Sequence, residues 1–249
     1  MTSLFAPRSS LYVLGVRVDD VTIEETLALI AHFIAERTPH QICTVNTEFI
    51  MAAQDHSEFR RVINCAALCP PDSVGVLWAA RRLGHPLRER VGGTDTAERI
   101  AARAAQRGWR LYLLGAAPGV AEQAAATWLA RYPGLVVAGT FAGSPSPDQQ
   151  DAIVERIRLA QPDVLLVAFG APNQDLWIAH HQPRLQTPVA IGVGGAFDFV
   201  AGVAQRAPVW VQRVGLEWLH RLIREPWRWR RQLALPRFVW RVWTDKPLH

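Results

Sequence analysis

Apolar residues recur along this chain in two alternating rhythms. Ile23, Leu27, Ile30 and Ile34 return at helical spacing, which predicts an amphipathic helix over residues 22–36. Short apolar runs at 110–115, 135–140, 163–169 and 189–193 read as strands, and the stretches between them, 119–131, 147–160 and 173–181, read as helices. Ser146 and Pro147 fit the N-cap and first position of the second of these helices. The first half is less regular. It predicts strands at 11–18 and 41–46, helical material through Ile63, a strand at 65–69, a helix at 74–83, and a helix ending near Arg107 before Gly108. Apolar strands alternating with helices predict an α/β fold, a doubly wound, mostly parallel sheet with helices on both faces. From about Ala196 the pattern is helical only, and the composition shifts at Arg206. The expected division is an α/β domain, 1–205, and a helical appendage rich in Arg and Trp, 206–249. No internal repeat is visible.

Composition narrows the class. Of 249 residues 49% are apolar and 20% charged, enough for a sizeable core in a soluble protein. The first residues lack the basic start and long apolar run of a signal peptide, and no uninterrupted apolar run approaches the roughly 20 residues of a membrane span. A cytoplasmic protein is expected. Cys43, Cys65 and Cys69 fall in strand-like runs without partner spacing, so they read as small core residues rather than a disulfide or zinc framework. The net charge of +5 matters less than its distribution: nine arginines and six tryptophans lie between Arg206 and Trp243, opposed by Glu217 and Glu225.

Candidate chemistry sits at the predicted strand ends, because open α/β sheets bind ligands at the carboxyl edge of their strands. Those ends carry Thr44 and Asn46, then Asp72, then Gly115–Gly119, then Gly170, Pro172, Asn173 and Gln174, then Gly194, Gly195 and Asp198. Pro70 and Pro71 cannot continue a central ladder, so the chain stops there and presents Asp72. A carboxylate so placed serves as a general base or caps the helix that follows; the fragment alone supports both. Thr44 also fits the core, and Asn46 and Gln174 also fit turns and caps. The glycine-rich ends suit backbone amides facing a phosphate, though neither is a dinucleotide or P-loop fingerprint. No Asp-x-Asp pair or acidic cluster offers to hold a divalent metal, so amides and arginines, Arg90 first, must meet any diphosphate. Arg90 fits a solvated surface charge equally.

In the tail Arg221, Arg224, Arg228 and Arg231 recur at spacings of three, four and three, one face of a helix, beside several tryptophans. Such a face suits an anionic lipid surface, a phosphate clamp, a single-stranded nucleic acid, or a helix packed on the core with solvated arginines.

Taken in order, Thr44-Val45-Asn46, Pro71-Asp72-Ser73-Val74-Gly75, Glu89-Arg90-Val91-Gly92-Gly93-Thr94-Asp95, Ala171-Pro172-Asn173-Gln174-Asp175 with Trp177, residues 192–199 with Arg206-Ala207-Pro208, and Gly215-Leu216-Glu217-Trp218-Leu219 resemble the WecG/TagA/CpsF glycosyltransferases, glycosyltransferase family 26. The resemblance implies inverting transfer of a sugar, typically N-acetylmannosamine or its uronic acid, from a UDP-sugar to a polyprenyl-diphosphate-linked sugar in cell-surface polysaccharide synthesis. It implies that Asp72 is the base, that Thr44, Asn46, Arg90 and Gln174 bind substrate, and that Arg221, Arg228 and Arg231 of the appendage meet the diphosphate and an anionic membrane surface. No metal or other cofactor is implied. The expected location is the cytoplasmic face of the cell membrane, with no nucleic-acid partner, and a homo-oligomer is allowed. The competing expectation is an inactive scaffold of the same fold that binds UDP-sugar or membrane. Two departures stand out: Asp72-Ser73 where the family often has Asp-Gly, and Pro172-Asn173-Gln174-Asp175 where it often has Pro-Lys-Gln-Glu. Both bear on the donor sugar.

Overall fold

The computed structural model describes residues 9–208, 211, 219, 222 and 234–244. A hairpin opens the chain, β1 (Ser10–Val13) and β2 (Val16–Asp19). Residues 11–18 read as one strand because the turn has no Asn-Gly signal. Leu14 and Gly15 nevertheless both adopt left-handed backbone, at φ 50° and 79°, the geometry a two-residue hairpin turn needs. Helix α1 (Ile23–Glu36) follows, with Thr22 and Glu25 forming a reciprocal capping box. Then come β3 (His40–Ile42), α2 (Thr47–Asp55), α3 (Ser57–Cys65), α4 (Val74–Arg82) and α5 (Gly93–Arg107), the last ended by left-handed Gly108. The second half alternates as its pattern predicts: β4 (Arg110–Gly115), α6 (Val120–Arg131), β5 (Val136–Phe141), α7 (Gln150–Ala160), β6 (Val164–Ala168), α8 (Asn173–Leu185), β7 (Val189–Gly192) and α9 (Ala196–Val200). Helix α7 starts three residues later than Pro147, since 147–149 form a turn that puts Gln149 at the N-cap. A last described helix, α10 (Ala234–Thr244), belongs to the basic tail.

The five strands β3–β7 form one parallel sheet in the order β3-β7-β6-β4-β5. Its central strands are buried along their whole length, which is why they read as unbroken apolar runs. One face packs on α1, α5, α6 and α9 and the other on α7 and α8. A third apolar cluster joins the hairpin, α2, α3 and α4, and takes Phe238 and Val242 from α10.

The strand expected at 65–69 differs. Helix α3 runs through Cys65, which is exposed rather than a core residue. The pairing begins two residues later and is irregular: isolated parallel bridges join Ile42 to Leu68 and Val45 to Pro71. Residues 67–72 still exchange hydrogen bonds of 2.8–2.9 Å with the run through β3, ending with Asp72 N donating to the Val45 carbonyl. On their outer side Asp19 N donates to the Cys69 carbonyl and Val91 N to the Pro71 carbonyl. The prolines have no N–H to give, so a regular strand does not form, but the segment is held on both flanks.

Candidate active site

Asp72 ends this segment, and it does not cap the next helix. Ser73 is the N-cap of α4: its backbone is extended and its Oγ accepts from Val76 N at 3.3 Å. Of the two readings open for Asp72, the cap is taken by its neighbour.

The carboxyl faces Gly92 and Gly93, where α5 begins. A Cβ on Gly92 would stand 3.0 Å from Asp72 Oδ1, 3.2 Å from Asp95 Oδ2 and 3.3 Å from Arg90 Nη1. One on Gly93 would stand 3.1 Å from Thr44 Oγ1 and 3.5 Å from Asp72 Oδ2. Thr44, Asp72, Arg90 and Asp95 therefore converge on two glycines, and the missing side chains are what let them do so. The positive end of α5 opens at the same point, a place that favours negative charge.

Arg90 is held by Asp95 at 3.2 Å, and Asp95 also takes both arms of the Arg206 guanidinium, at 2.5 and 2.9 Å. Burial pushes the Asp95 carboxyl up, but the hydrogen-bonded Arg206 and the charges of Arg90 and Arg99 outweigh it and hold the carboxyl below its ordinary range. Beside this cluster opens a cleft of about 450 Å³ lined by Arg90, Arg99, Arg131 and Arg206 together with Asp95, Glu98 and Phe199. Glu98 is spent on its own wall, accepting from Trp128 Nε1 at 2.7 Å and from the Tyr132 hydroxyl at 2.5 Å.

The other side of the site is the loop after β6. Gln174, in the first turn of α8, is buried, and its Oε1 accepts from Gly170 N at 3.2 Å and Gly194 N at 3.1 Å. One amide thus ties together the loops that follow β6 and β7. Gly192 leaves room for it: a Cβ there would stand 2.4 Å from Gln174 Nε2. Asn46 caps α2 through its side-chain oxygen, which accepts from Phe49 N at 2.9 Å, so its NH₂ is what it can offer a ligand. Thr44 is buried.

Residues 11–248 match the model of the Glycosyl transferase WecG/TagA/CpsF family. The chain belongs to this family. It is a glycosyltransferase. Among similar proteins is an N-acetylglucosaminyldiphosphoundecaprenol N-acetyl-beta-D-mannosaminyltransferase of Bacillus subtilis (strain 168), 32% identical over 215 residues that cover 86% of this chain and 83% of that protein. Proteins of the same name in Bacillus spizizenii (strain ATCC 23059 / NRRL B-14472 / W23) and Staphylococcus aureus (strain MW2) are 33% identical over 198 residues and 30% identical over 232. These matches cover 80% and 92% of this chain, and 76% and 91% of the relatives.

Of the residues expected to serve a WecG/TagA/CpsF site, the structure brings Thr44, Asp72 and Arg90 to one point, and places Asn46 and Gln174 at the starts of α2 and α8. Arg221, Arg228 and Arg231 lie outside the described residues, as does Arg224. The pairing of Asp95 with Arg206, 111 positions apart, escaped the sequence reading. Both residues stand in the motifs that carry the family resemblance, but spacing alone does not say that they meet. Among the described residues no group of three or more His, Cys, Asp or Glu is arranged to hold a metal ion, and no helix is long and apolar enough to cross a membrane.

Proposed function

We propose that this glycosyltransferase moves N-acetylmannosamine, or a closely related sugar, from its UDP derivative to an N-acetylglucosamine carried on a polyprenyl diphosphate, a step in building a cell-surface polysaccharide. The observation that carries the reading is Asp72, relieved of capping by Ser73 and standing beside Thr44 and Arg90 at the carboxyl edge of the sheet. The names of the relatives supply the sugar and the acceptor, and the family resemblance supplies the UDP form of the donor.

The reaction is a single displacement. Asp72 takes the proton of the acceptor hydroxyl as that oxygen bonds to the anomeric carbon. The bond from the anomeric carbon to the UDP oxygen breaks, UDP leaves with the electron pair, and the anomeric centre inverts. Arg90 and Arg206, oriented by Asp95, supply charge for a diphosphate, as do the appendage arginines Arg221, Arg228 and Arg231. Thr44 and Asn46 orient sugar hydroxyls, and Gln174 shapes the floor. Arginines and amides neutralise the leaving group in place of a metal, so turnover persists in EDTA; a strict Mg²⁺ or Mn²⁺ requirement overturns that part.

A lipid-borne acceptor calls for a surface that meets the bilayer. Helix α10 turns Phe238 and Val242 inward and leaves Trp240 71% and Trp243 60% exposed, with exposed Arg237 and Arg241 beside them. Tryptophan with arginine on one short helix suits the interface of an anionic membrane, and we place the enzyme on its cytoplasmic face. The deciding experiment incubates the chain with a panel of UDP-sugars and a short-prenyl diphosphate N-acetylglucosamine acceptor and weighs the product. Addition of one N-acetylhexosamine from the manno donor alone is expected; UDP binding without product rejects the enzymatic reading.

A further inference from the structure

Directly after Gln174 the chain buries a second carboxyl group. Asp175 is fully buried, and among the described residues neither of its oxygens has a hydrogen-bond partner. The polar side chains facing it are the Cys43 thiol, just past β3, and Gln174; neither meets hydrogen-bond geometry with it. Cys69, on the irregular 67–72 segment, lies further along the same buried line, and so does Arg17 of β2. Arg17 is committed to Asp19 and to the Asn64 and Ala66 carbonyls. Charged groups on the other elements packed against α8 are engaged elsewhere: Glu58 of α3 with His180, and Asp151 of α7 with Arg184.

The position of this acid is more telling than its burial. Its own carbonyl accepts from Gln41 Nε2 of β3 at 2.9 Å, and its side chain lies against Cys43. It therefore joins the first turn of α8 to the end of β3. Gln174 precedes it in the chain, and Thr44 follows Cys43. Both belong to the site.

We propose that Asp175 is a positioning residue: as a neutral acid it seats the first turn of α8 against the end of β3, keeping Gln174 and Thr44 in place, and its ionisation unseats them. The inference rests on the glycosyl-transfer reading of that site. An ionised carboxylate here is shut off from solvent with only the weak help of the Cys43 thiol, the Gln174 amide and its own backbone N–H, so it gains full solvation only if the first turn of α8 moves. That movement carries Gln174 with it, and with Gln174 the Gly170 and Gly194 loops. Burial pushes the Asp175 carboxyl up to about 7, against weaker opposing help from Cys43, Gln174 and its own backbone N–H, so the change falls in the working range of an enzyme.

The sign follows from proton counting. Below the ordinary aspartate value both folded and unfolded chains hold the proton. As pH rises from there to about 7, the unfolded chain has released it while the folded chain keeps it, so stability falls across that window and levels off above it. The test compares the full chain with Asp175→Asn, which keeps the shape and cannot ionise. Thermal midpoints and kcat/KM on the short-prenyl acceptor are measured from about pH 4 to about pH 9. The parent is expected to lose thermal stability through that window relative to the variant. Its kcat/KM should also fall roughly tenfold between about pH 6.5 and about pH 8.5 while the variant's does not. Matching thermal curves for the two proteins overturn the proposal, and so does an alkaline fall that survives in the variant. Where Asp175→Asn fails to fold, Cys43→Ser provides the second arm. A hydroxyl beside the carboxylate favours its ionised form, so the upper end of the thermal window and the alkaline fall should both move to lower pH, and an unmoved fall overturns the proposal. The thermal arm needs no substrate, which separates failure of this inference from failure of the proposed reaction.

Discussion

The two sides of the site are made of different materials. On the Asp72 side the backbone ladder is irregular, two glycines stand in for side chains, and the shape rests on arginines shared around Asp95. On the Gln174 side a buried amide is fastened by two backbone N–H groups against a glycine, with a fully buried acid behind it. Ion pairs that are partly exposed respond to what enters; Asp95 can release Arg90 or Arg206 to a phosphate at small cost. Buried hydrogen bonds do not rearrange cheaply, because an unsatisfied group would be left behind. The first side is thus suited to meet charge that develops during reaction, and the second to hold a fixed shape.

Three substitutions probe this contrast. Asp72→Asn should have the largest effect: it keeps size and hydrogen bonding but cannot take the proton, and turnover should drop roughly 10²–10⁴-fold with UDP affinity nearly unchanged. Turnover within a few-fold of the parent would remove Asp72 from catalysis. Next is Gly192→Ala on the rigid side. Its methyl would meet Gln174 at 2.4–2.8 Å, so a destabilisation of about 1–3 kcal/mol is expected, about 2–4 °C in thermal midpoint per kcal/mol. An unchanged midpoint would mean that Gln174 swings aside freely and that this side is not fixed. Asp95→Asn should be the mildest for stability. The pairs it breaks are partly exposed, so the cost should stay below about 1 kcal/mol and shrink in high salt, while the Michaelis constant for the UDP-sugar rises as Arg90 and Arg206 lose their guide. A large, salt-independent loss of stability would show that this side is as rigid as the other.

Much of the second half was legible in the sequence, because buried parallel strands and their covering helices leave separate, uniform patterns: β4, β6 and β7 fall within a residue or two of their apolar runs. The first half was harder to read. Leu14-Gly15 makes a hairpin turn inside what looks like one strand, and 67–72 pairs by tertiary contact rather than by pattern. In the site, Asp72 stood out through its prolines, and Gln174 through its place after a strand. Asp95 with Arg206 is a meeting of distant residues, and the isolation of Asp175 depends on what is absent around it; neither leaves a periodic trace.

Because Ser73 rather than Asp72 starts α4, the two neighbours are free to diverge at different rates. Serine and glycine are both accepted at a helix start, and exchanging one for the other typically costs only a few tenths of a kcal/mol. The Asp-Ser of this chain and the Asp-Gly that the family resemblance leads one to expect are two spellings of one instruction: end the segment, show the acid, begin the helix. Drift at position 73 is therefore nearly neutral for the helix start, whereas the carboxylate proposed as the base has no such substitute.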